Sequence, residues 1–270
     1  MGEFQILPPA VKNLLIINAL FFAASFVFGM KGIELSDWLG LHFFQASSFH
    51  FWQPVTYMFM HANFGHLFFN MFALWMFGAA IENYWGTKKF LIFYFVAGIG
   101  AALCHYLVVF LQVHPSLTLM DAFLAHPSVD TFSQLSAADC INRDAITGDL
   151  PYLKTYPDGV MAYVPQVEAL RDTYLNSFNI IGASGAVYGL LLAFGMLFPN
   201  SLIYLYFLIP IKAKWFVLIF GGIEVLYCIT STHDGVAHIA HLGGMVFGLL
   251  LILYWRRKNR NRDTQYEYFR

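Results

Sequence analysis

The sequence predicts an all-α integral membrane protein, a six-helix bundle whose fourth helix is short, central and serine-bearing. Three observations predict it. The chain is 59% hydrophobic and 19% aromatic with only 11% charged residues in 270, too little polar surface to cover a soluble globule. Its apolar residues gather into six runs, 11–30, 64–81, 90–111, 184–198, 215–229 and 236–255. Most are long enough, at about 1.5 Å per residue, to cross a hydrocarbon core of about 30 Å. Finally, Lys and Arg fall unevenly between alternate connections, as they do around membrane spans.

Taken in order, the first run is expected to be a span rather than a cleaved signal. It is long, has only Lys12 as a basic flank and shows no small-x-small pattern before Lys31. The stretch 32–57 is sparsely charged and carries Trp38, Phe43, Phe44, Phe51 and Trp52, a composition suited to the membrane interface. After the second and third spans comes a polar insert at about 113–179, expected on the extracytoplasmic side and rich in Asp, Ser, Thr and Pro. Within it, 165–179 is expected to form a helix delivering the chain to the fourth span. The stretch 201–211, bounded by Pro199 and Pro210, reads as an apolar cytoplasmic connector. No repeat, low-complexity tract or soluble domain with a clear core of its own is visible, so residues 1–270 are expected to be one polytopic membrane domain.

With both termini cytoplasmic, Lys12, Lys88, Lys89, Lys212, Lys214 and the tail residues Arg256, Arg257, Lys258, Arg260, Arg262 and Arg270 share one side. Only Lys31, Arg143, Lys154 and Arg171 remain outside. A multi-pass protein of the cell membrane, plasma or inner, is therefore expected. The net charge of -1 says little, because basic tail and acidic insert lie on opposite sides. The basic tail beside a span is a topology and lipid-surface feature, and nothing points to nucleic acid. Cys104, Cys140 and Cys228 make neither a metal spacing nor a disulfide framework.

Chemistry concentrates in three spans. Gly182-Ala183-Ser184-Gly185 stands where polar insert gives way to span, so Ser184 is expected at a helix N-terminus. Unpaired N–H groups and the positive end of the helix dipole favour an oxyanion there. Taken alone the pattern reads as packing, since Gly185 and Gly189 form a small-xxx-small face. The run is also short: residues 184–198 rise about 21 Å, against the 30 Å or so needed to cross. The backbone above Ser184 must then be buried in protein or line a wet cavity.

His241, in Ala240-His241-Leu242-Gly243-Gly244, lies about 21 Å above the end of the last run. That is the depth of Ser184. Gly244 and Gly248 make a second close-packing face, which lets the two helices meet. His238 is a rival base one turn earlier, without that glycine spacing and nearer the aqueous end. In the second run His66 and Asn70 stand four apart on one face, at depths of about 22 and 17 Å. They can donate to an oxyanion together with the Ser184 N–H, or simply satisfy each other or a kinked backbone. His61 and Asn63 look like rim or structural residues.

Other chemistries fit poorly. There is no His-Glu-x-x-His helix, and the four span histidines lack the carboxylate and spacing of a convincing metal site. Gly148-Asp149, the one Gly-Asp dipeptide, lies in the insert and not in a span. Ala186 stands where an α/β-hydrolase elbow needs glycine. No metal or cofactor is called for. No third acid is evident beside His241, so the economical reading is a Ser–His dyad.

Together, Gly182-x-Ser184-Gly185 with Tyr188 one turn on, Ala240-His241-x-x-Gly244-x-x-x-Gly248, and the earlier His66-x-x-x-Asn70 resemble the rhomboid family of intramembrane serine proteases. The resemblance covers all the spans. It implies a serine endopeptidase that cuts transmembrane segments of other proteins near small, helix-destabilising residues. Ser184 would be the nucleophile, His241 the general base and later acid, and Asn70, His66 and the Ser184 N–H the oxyanion donors. Tyr188 would shape the cavity, with Gly182 and Gly185 leaving room for substrate backbone. Two departures stand out. Trp52-Gln53 replaces the family's frequent Trp-Arg, and the insert occupies a connection that relatives keep short, where it is expected to cover the outer mouth of the site or to be a tolerated loop. A catalytically inactive relative that binds or chaperones membrane proteins is the rival function, and a transporter the third. A transporter would need charges along a path, and only Glu224 sits in mid-span without an evident partner.

Overall fold

The computed structural model describes residues 4–205, 208–230 and 237–267. Val236 at the head of the sixth run and Arg270 of the basic tail lie outside the described residues.

The first long helix, α1 (Pro9–Gly29), starts with a proline in its first turn, where the missing N–H costs nothing. The next two N–H groups, of Ala10 and Val11, donate to Oε1 and Oε2 of Glu82 at 2.9 Å each. A carboxylate buried to 3% exposure is thereby satisfied by a helix N-terminus. Helix α2 (Phe64–Trp85) is capped by Asn63, whose Oδ1 accepts from the His66 N–H at 2.8 Å. Its middle, Leu74–Gly78, is a π-helical turn. It stops at Gly86, whose φ of 80° only glycine adopts cheaply.

Helix α3 (Thr87–Ala125) follows at once and runs for 39 residues, about 58 Å and nearly twice the depth of a hydrocarbon core. It continues past the third apolar run, through Pro115, into the polar sequence. Helix α4 (Ser184–Leu197) has 14 residues and ends before Pro199. It is followed by a two-stranded antiparallel hairpin, β1 (Leu202–Leu205) and β2 (Ile209–Lys212), in the register Leu202 to Lys212. The expected connector is thus a hairpin, because the interval of Tyr and Ile between two prolines pairs with itself. Helices α5 (Ala213–Thr230) and α6 (His238–Glu267) complete the set.

Among the described residues five helices are long and apolar enough to cross a membrane: α1, α2, α3, α5 and the His238–Lys258 part of α6. Helix α4 is a shorter apolar helix. The protein is an all-α membrane bundle apart from the hairpin.

The chain divides into two compact units. One contains the residues up to Leu41, Phe51–His105 and those from Ile180 onward. Here α4 is gripped from two sides. A Cβ placed on Gly185 or Gly189 would come 2.5 Å from the Ala101 Cβ or 2.6 Å from the Ala97 Cβ of α3. On the other side, one placed on Gly189 would lie 3.0 Å from the Gly244 carbonyl oxygen of α6, and one on Gly244 would press into the Gly185 carbonyl. Main chain packs on main chain, as small residues permit.

The other unit, His42–His50 with Tyr106–Asn179, has a core of its own, contrary to the sequence expectation. Met120, Phe123, Phe132, Leu135, Ile146, Leu153, Val160 and Val167 form one buried cluster. The helices Val129–Gln134, Arg143–Thr155 and Val164–Asn176 supply much of it. Each contributes only one or two buried apolar residues to polar sequence, so none stands out by composition.

Candidate active site

Ser184 opens α4, and the chain reaches it through a segment that is irregular but paired. The N–H groups of Leu41 and Ile180 donate to each other's carbonyl oxygens at 2.9 and 3.0 Å, and the Gly182 N–H donates to the Tyr57 carbonyl at 2.9 Å. Non-helical backbone beside a span is thereby satisfied within the protein, as lipid requires. Gly182 itself has φ +129°, and a Cβ there would stand 2.8 Å from His66 Nε2 and 3.6 Å from Ser184 Oγ. The glycine both allows the turn and leaves the space between serine and histidine open.

Ser184 Oγ lies 2.8 Å from Nε2 of His241 on α6. The Tyr188 ring, one turn along α4, stacks on the His241 ring with centroids 4.3 Å apart and planes at 10°. Just before α2, the Ala62 N–H points at Nδ1 of His66 in its first turn at 3.4 Å. Such a bond leaves the proton on Nε2, the nitrogen that faces Gly182. Asn70 Nδ2 donates to the His66 carbonyl at 3.0 Å and has a second N–H to give. Asn70 is 6% exposed. Ser184, Gly182, Gly185, Tyr188, His241 and His66 therefore share one neighbourhood, with Asn70 one turn below His66. His61 stands beside them, its ring centroid 5.0 Å from that of His66.

One member was not foreseen. Glu224 of α5 is 4% exposed, and its Oε2 lies 3.1 Å from His241 Nδ1. That is an ion-pair distance, off the line of a good hydrogen bond, so the Nδ1 makes no regular one. The same oxygen is 2.6 Å from Nδ1 of His238. Tyr188 donates its hydroxyl to the other oxygen, Oε1, in a very short hydrogen bond. A third acid thus stands beside His241, where the sequence reading saw none. His238 faces this carboxylate, while His241 faces Ser184. Glu224, His238 and His241 are the donor set a metal could use, yet 2.6 Å between oxygen and nitrogen suits a shared proton. Two ligands of a tetrahedral zinc would stand about 3.3 Å apart.

A serine at the mouth of a short helix is thus hydrogen-bonded to a histidine on a neighbouring span of a polytopic membrane protein. The sequence matches the rhomboid domain over residues 48–118 and 158–258, and the chain belongs to the rhomboid family. It is 27% identical over 252 residues to an uncharacterized mitochondrial rhomboid protein of Schizosaccharomyces pombe, covering 85% of this chain and 60% of that one. To the mitochondrial RHOMBOID-like protein 12 of Arabidopsis thaliana it is 26% identical over 252 residues, covering 93% and 59%. It spans about three fifths of the length of both relatives. Over 55 residues, 20% of this chain and 11% of the other, it is 36% identical to the rhomboid protease GluP of Bacillus subtilis.

Proposed function

We propose that this chain is an intramembrane serine endopeptidase that hydrolyses peptide bonds in the transmembrane segments of other proteins. The observation that carries the reading is the 2.8 Å approach of Ser184 Oγ to His241 Nε2 at the N-terminus of α4. In this geometry His241 takes the Ser184 proton as Oγ attacks the scissile carbonyl carbon, forming a tetrahedral intermediate. The carbonyl oxygen gains a negative charge. The Ser184 N–H, His66 Nε2–H and Asn70 Nδ2–H are the donors that offset it. His241 then returns the proton to the leaving amine, and the acyl group stays on Ser184. A water, deprotonated by His241, attacks the ester and releases the second product. Gly182 and Gly185 keep the substrate's path clear, and the stacked Tyr188 ring holds the imidazole face.

The partners in this reading are membrane-protein substrates and the bilayer. A plasma or inner cell-membrane location finds no support in the relatives, two of which are named mitochondrial. We place both termini on the face that is not translocated, from the Lys and Arg asymmetry, without assigning the membrane.

Labelling of the detergent-solubilised protein with a fluorescent fluorophosphonate tests the proposal. Wild type is expected to label, and Ser184→Ala and His241→Ala are not. Labelling that survives Ser184→Ala overturns the mechanism. A folded wild type that neither labels nor cuts a membrane substrate would overturn the peptidase reading.

A further inference from the structure

We propose that Glu224 is a positioning residue for the reaction, completing a Ser184–His241–Glu224 triad across α4, α6 and α5. The inference rests on the serine peptidase reading and adds a member to it.

A carboxylate buried in mid-span is expensive unless donors surround it. Glu224 has two hydrogen-bond donors and a third nitrogen at ion-pair distance, brought by two other helices: the Tyr188 hydroxyl on Oε1, Nδ1 of His238 on Oε2, and Nδ1 of His241 3.1 Å from Oε2. If its role were only to tie α5 to its neighbours, any donors would serve. Two features say more. First, the two nitrogens of His241 are divided, Nε2 to Ser184 at 2.8 Å and Nδ1 to Glu224 at 3.1 Å, so serine, imidazole and carboxylate stand in sequence. A carboxylate at Nδ1 keeps the proton there and leaves the Nε2 lone pair for the Ser184 hydroxyl. It also stabilises the imidazolium formed when that proton arrives. Second, Tyr188 holds both members at once, with its ring stacked on His241 and its hydroxyl on Glu224. His238 donates at 2.6 Å to the oxygen facing His241, so that oxygen meets Nδ1 as an acceptor. His238 is in this arrangement the anchor of the acid and not a second base.

The test is cleavage of a fluorogenic transmembrane peptide by the full chain in proteoliposomes, comparing wild type, Glu224→Gln and Ser184→Ala. Glutamine keeps the shape and can still accept from Tyr188. Its amide N–H would meet His241 Nδ1 and favour the Nε2–H tautomer, which offers Ser184 a proton where a lone pair is needed. The equivalent change in a Ser–His–Asp triad costs about 10⁴ in kcat. We expect kcat to fall more than about 30-fold, with KM within about threefold of wild type. A smaller fall in kcat, or a loss carried by KM, overturns the proposal.

A second measurement stands if Glu224→Gln does not fold. Spectra of ¹⁵N-histidine-labelled protein with Glu224 in place should show neutral His241 as the Nδ1–H tautomer, and the Nε2–H tautomer overturns the proposal. The two readings fail separately. Cleavage by Ser184→Ala removes the serine mechanism, whereas an inert Ser184→Ala beside a fully active Glu224→Gln removes only the triad.

Discussion

Gly244→Ala should disable the site without touching any residue that takes part in the chemistry. The added Cβ would stand 2.7 Å from the Gly185 carbonyl carbon, 3.2 Å from its Cα and well inside contact with its oxygen. Carbon atoms pack at about 3.5–4.0 Å, so α4 and α6 must part by about 1 Å. Neither backbone can swing aside as a side chain would. Gly185 follows Ser184 directly, and Gly244 lies three residues beyond His241, so the 2.8 Å Ser184–His241 distance inherits most of the displacement. A donor and acceptor about 3.8 Å apart are no longer hydrogen-bonded, and a misplacement of about 1 Å costs on the order of 10²-fold in rate. Overpacking of this kind also costs about 1–3 kcal/mol of stability. Gly248→Ala is the control. Its Cβ would meet the tip of the Phe93 ring at 2.9 Å and the Gly189 Cα only at 3.5 Å, and a ring tip can turn. Cleavage in proteoliposomes and thermal unfolding in detergent measure both variants. If Gly244→Ala keeps activity within about threefold, or Gly248→Ala proves the more damaging, backbone contact does not set the catalytic distance.

Asn70→Ala should lower kcat by about 10²–10³-fold, the usual cost of one oxyanion donor. Its melting temperature should barely change, because among the described residues the bond lost is to the His66 carbonyl within the same helix; an unchanged kcat would remove Asn70 from the oxyanion hole. Glu82→Ala strips the acceptors from the N–H groups of Ala10 and Val11 and from the Thr87 hydroxyl. At the rate typical of bonds to charged groups, about 2–4 kcal/mol should be lost in thermal unfolding, with the start of α1 opening first to added protease. Phe132→Ala empties a fully buried position against Phe123 and Tyr163 and should cost about 3–5 kcal/mol in the insert's own unit. Limited proteolysis of the intact protein should then cut within Val129–Gln134 and Arg143–Thr155 before it cuts the bundle.

The spans were legible because lipid imposes one simple demand, some twenty apolar residues in succession. Ser184 and His241 were legible because depth can be counted from the end of a run. Glu224 could have been found by the same count and was not. It lies six residues before Thr230 and His241 three beyond His238, about 9 and 4.5 Å from the ends of two consecutive helices. An unpaired mid-span acid at nearly the level of a candidate base deserved a partner there. The insert's core was hidden for a different reason. Its apolar residues arrive singly or in pairs from separate short helices and from the far end of α3, and only tertiary packing gathers Phe123, Phe132 and Leu153 into one cluster. The hairpin was hidden because strands of four residues carry too few positions to show a period of two.

The π-helical turn at Leu74–Gly78 makes α2 two helices with separately set azimuths. Below it, the Asn83 side chain exchanges hydrogen bonds with the Gln5 backbone at 2.9 and 2.8 Å, and Glu82 grips the head of α1, so this half is locked to the start of the chain. Above it, His66 and Asn70 must face Ser184. A π turn closes i→i+5 and so fits one extra residue into about the rotation and rise of an α turn, whereas each residue added to α-helix turns the chain by about 100°. Removing a single residue from Leu74–Gly78 would therefore straighten the helix and leave both halves at nearly the same height and azimuth, while adding one would swing the two donors about a quarter-turn away from the serine they serve.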